Sequence, residues 1–366
     1  MDANKIMRLY FKPYFYMKAK IVKDSVIKKT TGYITGNRKL SKVEKEKIKS
    51  FFAPYTKVNT IFHEFYTEKT GVFSERYIPT DIYSNVIDNY YNRRYEAKTV
   101  DNKCNYPMLF AGIKQAEMIV ARNGDFWYDA HGQMIDLSKA EQILNNESAA
   151  FVKKATDSFG GKGVQYICSA DGKLFDELRE AIKDIHGDLV VQQPLKQHHT
   201  LAQINESSVN TIRVLSMLRA DGVKIYSCVL RMGIGGSKVD NASSGGITCG
   251  IDSDGKLKKR AFKPSGEVFE KHPTSGVTFE GYQIPSFETL KEVVHKAHPM
   301  IPHFRLVAWD FAIDEQGEPI MIEANLCLGE LDFHQLNNGP VFGEDTVAVL
   351  NEVYGKNQKK CNLEKS

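Results

Sequence analysis

Residues 304–330 constrain this chain more than any other stretch: Phe304-Arg-Leu-Val-Ala-Trp-Asp-Phe-Ala-Ile-Asp-Glu-Gln-Gly-Glu-Pro-Ile-Met-Ile-Glu-Ala-Asn-Leu-Cys-Leu-Gly-Glu330. Two apolar runs flank a polar break, Asp314-Glu-Gln-Gly-Glu-Pro319, which is the pattern of a β-hairpin. A turn centred between Gln316 and Gly317 pairs Ala312 with Met321, Phe311 with Ile322 and Asp310 with Glu323. Side chains alternate along a strand, so Asp310, Glu323 and Asn325 share one face. Trp309, Phe311, Ile320 and Ile322 take the other. Two carboxylates directly across a ladder repel, and burying both is costlier still. A divalent cation removes the conflict, and three hard oxygen donors suit Mg²⁺. The competing reading is the solvated face of an edge hairpin. The strongly apolar opposite face favours the metal.

The chain has 366 residues, enough for a large core and two or three domains. Its net charge of +4 is unevenly placed: residues 1–60 hold 15 Lys/Arg against 4 Asp/Glu, a net of +11, and the remainder carries −7. No run of about 18 apolar residues is present, so no transmembrane helix is expected. The first 30 residues lack the apolar core and cleavage site of a signal peptide. The six cysteines form no CxxC pair, and most lie in apolar contexts and read as buried free thiols of a reducing cytoplasm.

Aromatic and basic residues alternate over Leu9–Ile21. Two readings stand: a helical arm packing its aromatics on the body, or an interfacial segment in which Lys12, Lys18, Lys20 and Lys23 meet anionic lipid. Nucleic-acid binding is not expected, because no recognised module follows. Ser41-Lys-Val-Glu44 is a capping box opening a charged helix, and residues 41–100 read as mainly helical. From Asp101 helix and strand alternate. Ala116–Arg122 reads as a strand and Asp129–Gln133 as a turn. Residues 150–168 are strand, Ser/Gly-rich loop, strand. Gly160, Gly161 and Gly163 let backbone N–H groups crowd an anion, with Lys153 or Lys154 nearby; an ordinary hairpin turn explains the loop equally well. The spacing is neither Walker A nor Rossmann, since a strand follows where each needs a helix. Residues 171–187 form an amphipathic helix, and Asp188–Leu195 a buried strand ending in a proline turn. His198-His199 lack a third metal ligand at sensible spacing. Strands follow at Thr211–Met217, Lys224–Met232 and Gly245–Asp252. Arg213 and Arg231 lie within them and need anionic partners, structural or functional. Asp240-Asn-Ala-Ser-Ser-Gly-Gly246 is a flexible loop.

The order of these pieces resembles the ATP-grasp superfamily over about residues 100–350. Asp101-Asn-Lys103, Ser208-Val-Asn-Thr-Ile-Arg213 and Trp309-Asp310 resemble the sugar-transfer-associated ATP-grasp proteins in particular. The resemblance implies an α+β ATP-grasp fold, two α+β subdomains clasping ATP, behind a mainly helical N-terminal region. The expected divisions are 1–99 (basic, helical), 100–350 (ATP-grasp, with a glycine-flap part at 148–198 and a metal part at 199–350) and a tail at 351–366. By the same resemblance Lys103 and Lys153 contact the nucleotide under a flap of Gly160, Gly161 and Gly163. Val191, Gln192, Gln193 and Leu195 form the adenine hinge, where Gln192-Gln193 replaces the acidic residue of many relatives. Asp310, Glu323 and Asn325 bind two Mg²⁺. Arg213 and Arg231 steady the transferred phosphoryl group, and Asn241, Gly245 and Gly246 shape the acceptor side. The implied activity is carboxylate–amine ligation through an acyl phosphate, joining an amine or amino acid to an acidic sugar of a bacterial surface polysaccharide such as capsule or O-antigen. A cytoplasmic location follows, with peripheral membrane contact through the basic N-terminus. A phosphotransferase and a nucleotide-binding pseudoenzyme are the rival readings.

Overall fold

The computed structural model describes residues 20–21, 23–94, 96–156, 164–182, 187–236 and 245–363, with backbone alone at 356–363. The chain divides into two compact units, one comprising 1–91, 264–268 and 330–366, the other 92–263 and 269–329.

The first unit is helical where described. Ser41 caps the helix Lys42–Phe52 through the capping box expected from sequence: its hydroxyl accepts from Glu44 N at 3.2 Å, and Ser41 N donates to the Glu44 carboxylate at 2.8 Å. Arg38 joins that carboxylate and, with the Ser41 amide, lowers its pKa to about 2. Phe52, Phe62, Tyr66 and Tyr77 are fully buried, the two tyrosine rings stacked at 4.8 Å. The helix Leu331–Asn338 docks here. Tyr66 Oη donates to Asp332 at 2.7 Å, and Gln335 exchanges two 2.9 Å hydrogen bonds with the backbone of Ile78.

The second unit is built on two sheets. The first contains β1 (Met118–Asn123), β2 (Phe126–Asp129), β3 (Met134–Ile135), β4 (Ala149–Lys154), β5 (Val164–Cys168) and β6 (Leu189–Gln192), in the order β3-β2-β1-β6-β4-β5. One face, with Val120, Val152 and Val191, packs on the helices Leu137–Leu144 and Leu174–Ala181 through Ala140, Leu144, Leu174, Phe175 and Leu178. The second sheet contains β7 (Thr211–Arg219), β8 (Gly222–Met232), β9 (Ile247–Ile251), β10 (Leu257–Phe262), β11 (Val268–Phe269), β12 (Leu306–Ile313) and β13 (Pro319–Asn325), in the order β11-β10-β9-β8-β7-β12-β13. Its apolar face meets the helix Phe287–Ala297 through Phe287, Leu290, Val294 and Ala297, spaced at three and four residues as one helical stripe requires. Strand β10 was not legible in sequence, because Lys258-Lys259-Arg260 breaks the apolar alternation. The expectation of buried cysteines fails at Cys168, which is exposed on β5.

The β12–β13 hairpin corrects the expected register and then recovers it. Asp314 N donates to Glu318 O at 3.0 Å, closing a three-residue loop with Gly317 at φ 83°. The Asp314 carboxylate builds that loop by accepting from Gln316 N and Glu318 N at 3.0 and 2.8 Å. Ala312 therefore pairs with Ile320 and Phe311 with Met321, one residue away from the two-residue turn. A bulge at Ile322 shifts the ladder back, and Asp310 pairs with Glu323 as expected. The core face consequently carries Trp309, Phe311, Met321 and Ala324, whereas Ile322 is half-buried. A buried relay anchors this face. Trp309 Nε1 donates to Ser216 Oγ at 2.8 Å, Ser216 Oγ bonds His298 Nδ1 at 2.8 Å, and His298 Nε2 meets Phe304 O at 2.9 Å.

Candidate active site

The other face of the second sheet gathers the charged residues. Backbone pairing sets Glu323, Asp310 and Arg213 in one row across β13, β12 and β7, and Thr211 pairs with Arg231 on β8. Arg213, Arg231 and Asp310 are each 4% exposed. Arg213 grips Asp310 in a fork, Nε to Oδ1 at 2.6 Å and Nη2 to Oδ2 at 2.8 Å, and Arg231 Nη1 adds a bond to Oδ2 at 2.9 Å. Burial by itself raises the Asp310 carboxyl, but the two guanidiniums hold it well below the usual carboxylate range. Two guanidiniums thus converge on one buried carboxylate.

Lys103 belongs to both sheets. Its backbone N donates to Ala155 O at the end of β4, at 3.0 Å, while its Nζ donates to Glu323 Oε1 on β13 at 2.8 Å. On the first sheet Lys153 pairs with Val190, which places it on the face of a small apolar cluster of Ala121, Ala155 and Val190. Lys154 pairs with Leu189 on the opposite, helix-covered face. Of the two lysines considered from sequence, Lys153 shares the face toward which Lys103 is anchored. Met118 and Cys104 pack on the same cluster, and burial pushes the Cys104 thiol up to about 12, keeping it protonated.

The hinge residues separate by direction. Val191 is fully buried on the helix side, so only its backbone is available to a ligand. Gln192 Nε2 reaches Ala116 O at 3.3 Å, and Gln193 N donates to Glu117 O at 2.9 Å. Leu195 is half-buried. Gly245 is exposed at φ 93°, a conformation glycine favours, and Gly246 is buried at the entry to β9. Gly160, Gly161, Gly163 and Asn241 lie outside the described residues.

The donors proposed for Mg²⁺ are unequal. Among the described residues no three His, Cys, Asp or Glu side chains are gathered as a metal site. Asp310 Oδ2 already accepts from both arginines and, at 3.3 Å, from Asn325 Nδ2. Among the described residues Glu323 Oε2 and Asn325 Oδ1 receive no hydrogen bond, and both stand beside the Arg213–Asp310–Arg231 cluster. Mg²⁺ commonly takes one or two protein oxygens and completes its shell with phosphate and water, so this donor set fits it. Glu323 and Asn325 have oxygens open to hold the ion, and Asp310, the third expected donor, is bonded to both arginines.

Sequence reasoning passed over a polar knot beside the hinge. Asn210, fully buried, bonds Gln197 Oε1, Leu201 O and Asn205 O through Nδ2, each at 2.9 Å, and Gln197 Nε2 returns to Asn205 O and Ser208 O. It ties the segment after the hinge to the start of β7, three residues before Arg213. The signal was the polar run Ser208-Val-Asn ahead of an apolar strand. His198 Nδ1 accepts from Thr200 N at 3.2 Å and caps the helix His199–Ile204.

A family model described as sugar-transfer associated ATP-grasp matches residues 84–350. No curated protein matches the chain. Similar solved structures include the biotin carboxylase domain of the Hydrogenobacter thermophilus 2-oxoglutarate carboxylase, at 16% identity and TM-score 0.37, covering 66% of this chain and 46% of that one. The D-alanyl-alanine synthetase A of Vibrio cholerae is 14% identical with a TM-score of 0.39, covering 73% of this chain and 66% of its own. The Enterococcus faecalis D-Ala:D-Ser ligase VanG is 11% identical with a TM-score of 0.41, covering 69% and 61%. The chain thus spans between about half and two-thirds of the length of these proteins.

Proposed function

The chain belongs to the sugar-transfer-associated ATP-grasp family, and from that premise we propose that it is an ATP-dependent carboxylate–amine ligase. The observation that carries the reading is the buried Arg213–Asp310–Arg231 cluster set in register beside Glu323, with Lys103 reaching Glu323 from the other sheet. Phosphoryl transfer needs positioning and charge neutralisation more than covalent help. A substrate carboxylate oxygen attacks the γ-phosphorus of ATP, the bond to the bridging oxygen breaks, and ADP leaves an acyl phosphate. An amine then attacks the acyl carbon, sheds a proton and displaces phosphate. Lys103 and Lys153 meet the phosphates. Arg213 and Arg231, held rigid by Asp310, face the transferring group and the later oxyanion. Mg²⁺ at Glu323 and Asn325, when bound, neutralises phosphate charge.

The amine is an amino acid or another small amine, and the carboxylate an acidic sugar of a cell-surface polysaccharide. The basic residues of 1–30 would bring the enzyme to a lipid-linked acceptor. In the first unit Lys42, Lys45, Lys47 and Lys49 lie on the helix Lys42–Phe52. No helix among the described residues is long and apolar enough to cross a membrane, so contact through this region would be peripheral.

The test is ADP release with MgATP across a matrix of amino acids and acidic sugar nucleotides, wild type beside Glu323→Gln. Release that requires one amine and one carboxylate, and is lost in the variant, supports the ligase. Release with a hydroxyl acceptor and no amine refutes it in favour of a phosphotransferase. For the membrane arm, vesicle binding unchanged on deleting residues 1–30 defeats the proposal.

A further inference from the structure

Lys103 faces a mechanical problem. Its ammonium sits at the end of a flexible stem, yet it must meet a phosphate at a defined point between two sheets. The stem is only as well placed as the backbone it leaves. That backbone is held by a small network the proposed reaction does not use. Asn102, 8% exposed, donates through Nδ2 to Asp188 Oδ2 at 2.9 Å and accepts from Cys104 N through Oδ1 at 3.0 Å. Asp188 Oδ1 accepts from Gly124 N at 2.9 Å, at the tip of the β1–β2 hairpin. The backbone repeats the connection: Lys103 N donates to Ala155 O at 3.0 Å, and Ala155 N donates to Asp188 O at 2.9 Å. The residues on either side of Lys103 are therefore pinned through Asn102, while its head is aimed at Glu323 on the second sheet, 2.8 Å away.

We propose that Asn102 and Asp188 are positioning residues for nucleotide binding, a clamp that acts only through Lys103. Asp188 accepts from Gly124 N and from Asn102, and the Asn123 amide, with its NH₂ turned inward, reaches both carboxylate oxygens at 3.1 and 3.2 Å. Asn102 offers one donor and one acceptor, and it alone can bond both Asp188 and Cys104 N in this arrangement. An aspartate at 102 sets two carboxylates face to face. An asparagine at 188 sets two amide N–H₂ groups face to face. Exchanging both residues restores the bonds around Lys103: an aspartate at 102 accepts from Cys104 N and from the new amide, whose oxygen accepts from Gly124 N and stays within reach of Asn123. The proposal rests on the reading of Lys103 as a phosphate contact.

The experiment measures MgADP affinity of the full chain by equilibrium dialysis, with thermal melts as the check on folding. Asn102→Asp and Asp188→Asn each weaken binding about tenfold, the scale of one charge-assisted hydrogen bond. The double exchange returns affinity to within about threefold of wild type, as the restored bonds require. In a Lys103→Met background, Asp188→Asn brings no further loss. An equal further loss in that background overturns the proposal, because the clamp then acts on the fold and not on Lys103. A folded double exchange that stays tenfold weak overturns it too, and this arm decides even where a single variant does not fold. Lys103→Met binding like wild type refutes the clamp while leaving the nucleotide site standing. Wild type that binds no MgADP refutes the site itself.

Discussion

The two sheets of the second unit present opposite kinds of surface. The second sheet presents charge: two arginines and an aspartate, all buried, bonded to each other at 2.6–2.9 Å. The first presents Ala121, Ala155 and Val190, small and apolar, with Lys153 on the same face. A buried charge is tolerable only when it is paired, so the charged surface is rigid before any ligand arrives. A small apolar surface needs no partner and supplies shape. Lys103 joins the two, its backbone on one and its ammonium on the other. Paired charge thus lines one sheet, and a filled apolar cluster the other.

The sharpest break in this contrast is Asp310→Ala. It strands two buried guanidiniums, and we expect a loss of about 3–5 kcal/mol in urea unfolding together with a fall in ADP release of roughly a thousandfold or more. A variant as stable as wild type would mean that the pair is not the strut described. Glu323→Gln separates chemistry from stability. Its side chain is 22% exposed and the amide oxygen still accepts from Lys103, so ADP release drops about a hundredfold or more while the unfolding midpoint barely moves.

Acid probes the buried relay behind the charged face. Burial lowers His298 to about 4, below the ordinary value of about 6.5. A depressed folded pKa means that neutral His298 contributes stability present above the unfolded value and lost as pH falls from about 6.5 to about 4. Urea midpoints over that range should fall for wild type, by up to roughly 3 kcal/mol from this group, and less for His298→Asn. Parallel curves would remove the relay from the account. The smallest effect is expected on the apolar sheet: Ala121→Val adds two methyl groups to a filled surface, costing about 1–3 kcal/mol and weakening MgADP about tenfold. Unchanged affinity would place the base elsewhere.

Much of this was legible along the chain. Alternation marked β7, β8, β9, β12 and β13, the capping box marked the helix after Ser41, and Asp310 opposite Glu323 was readable as a carboxylate pair. That pairing was reached through a turn one residue too short, offset by the bulge at Ile322. Neither displacement leaves a trace in apolar periodicity, since Ile320, Met321 and Ile322 are all apolar and fit either face. The mid-strand arginines were expected to need anions, but which anion was not readable: Arg213 and Asp310 are 97 residues apart.

Local pattern settles whether a residue lies on a strand, and which neighbours share its face, because both follow from backbone geometry over a few residues. The sequence by itself therefore determined the hairpin, its donor residues and the family they indicate. Only the tertiary structure decided that Asp310 bonds two guanidiniums while Glu323 and Asn325 keep oxygens open, and that Lys103 bonds Ala155 O through its backbone and Glu323 through its ammonium. Those assignments depend on which polar groups become nearest neighbours once burial removes water, and burial is a property of the whole fold.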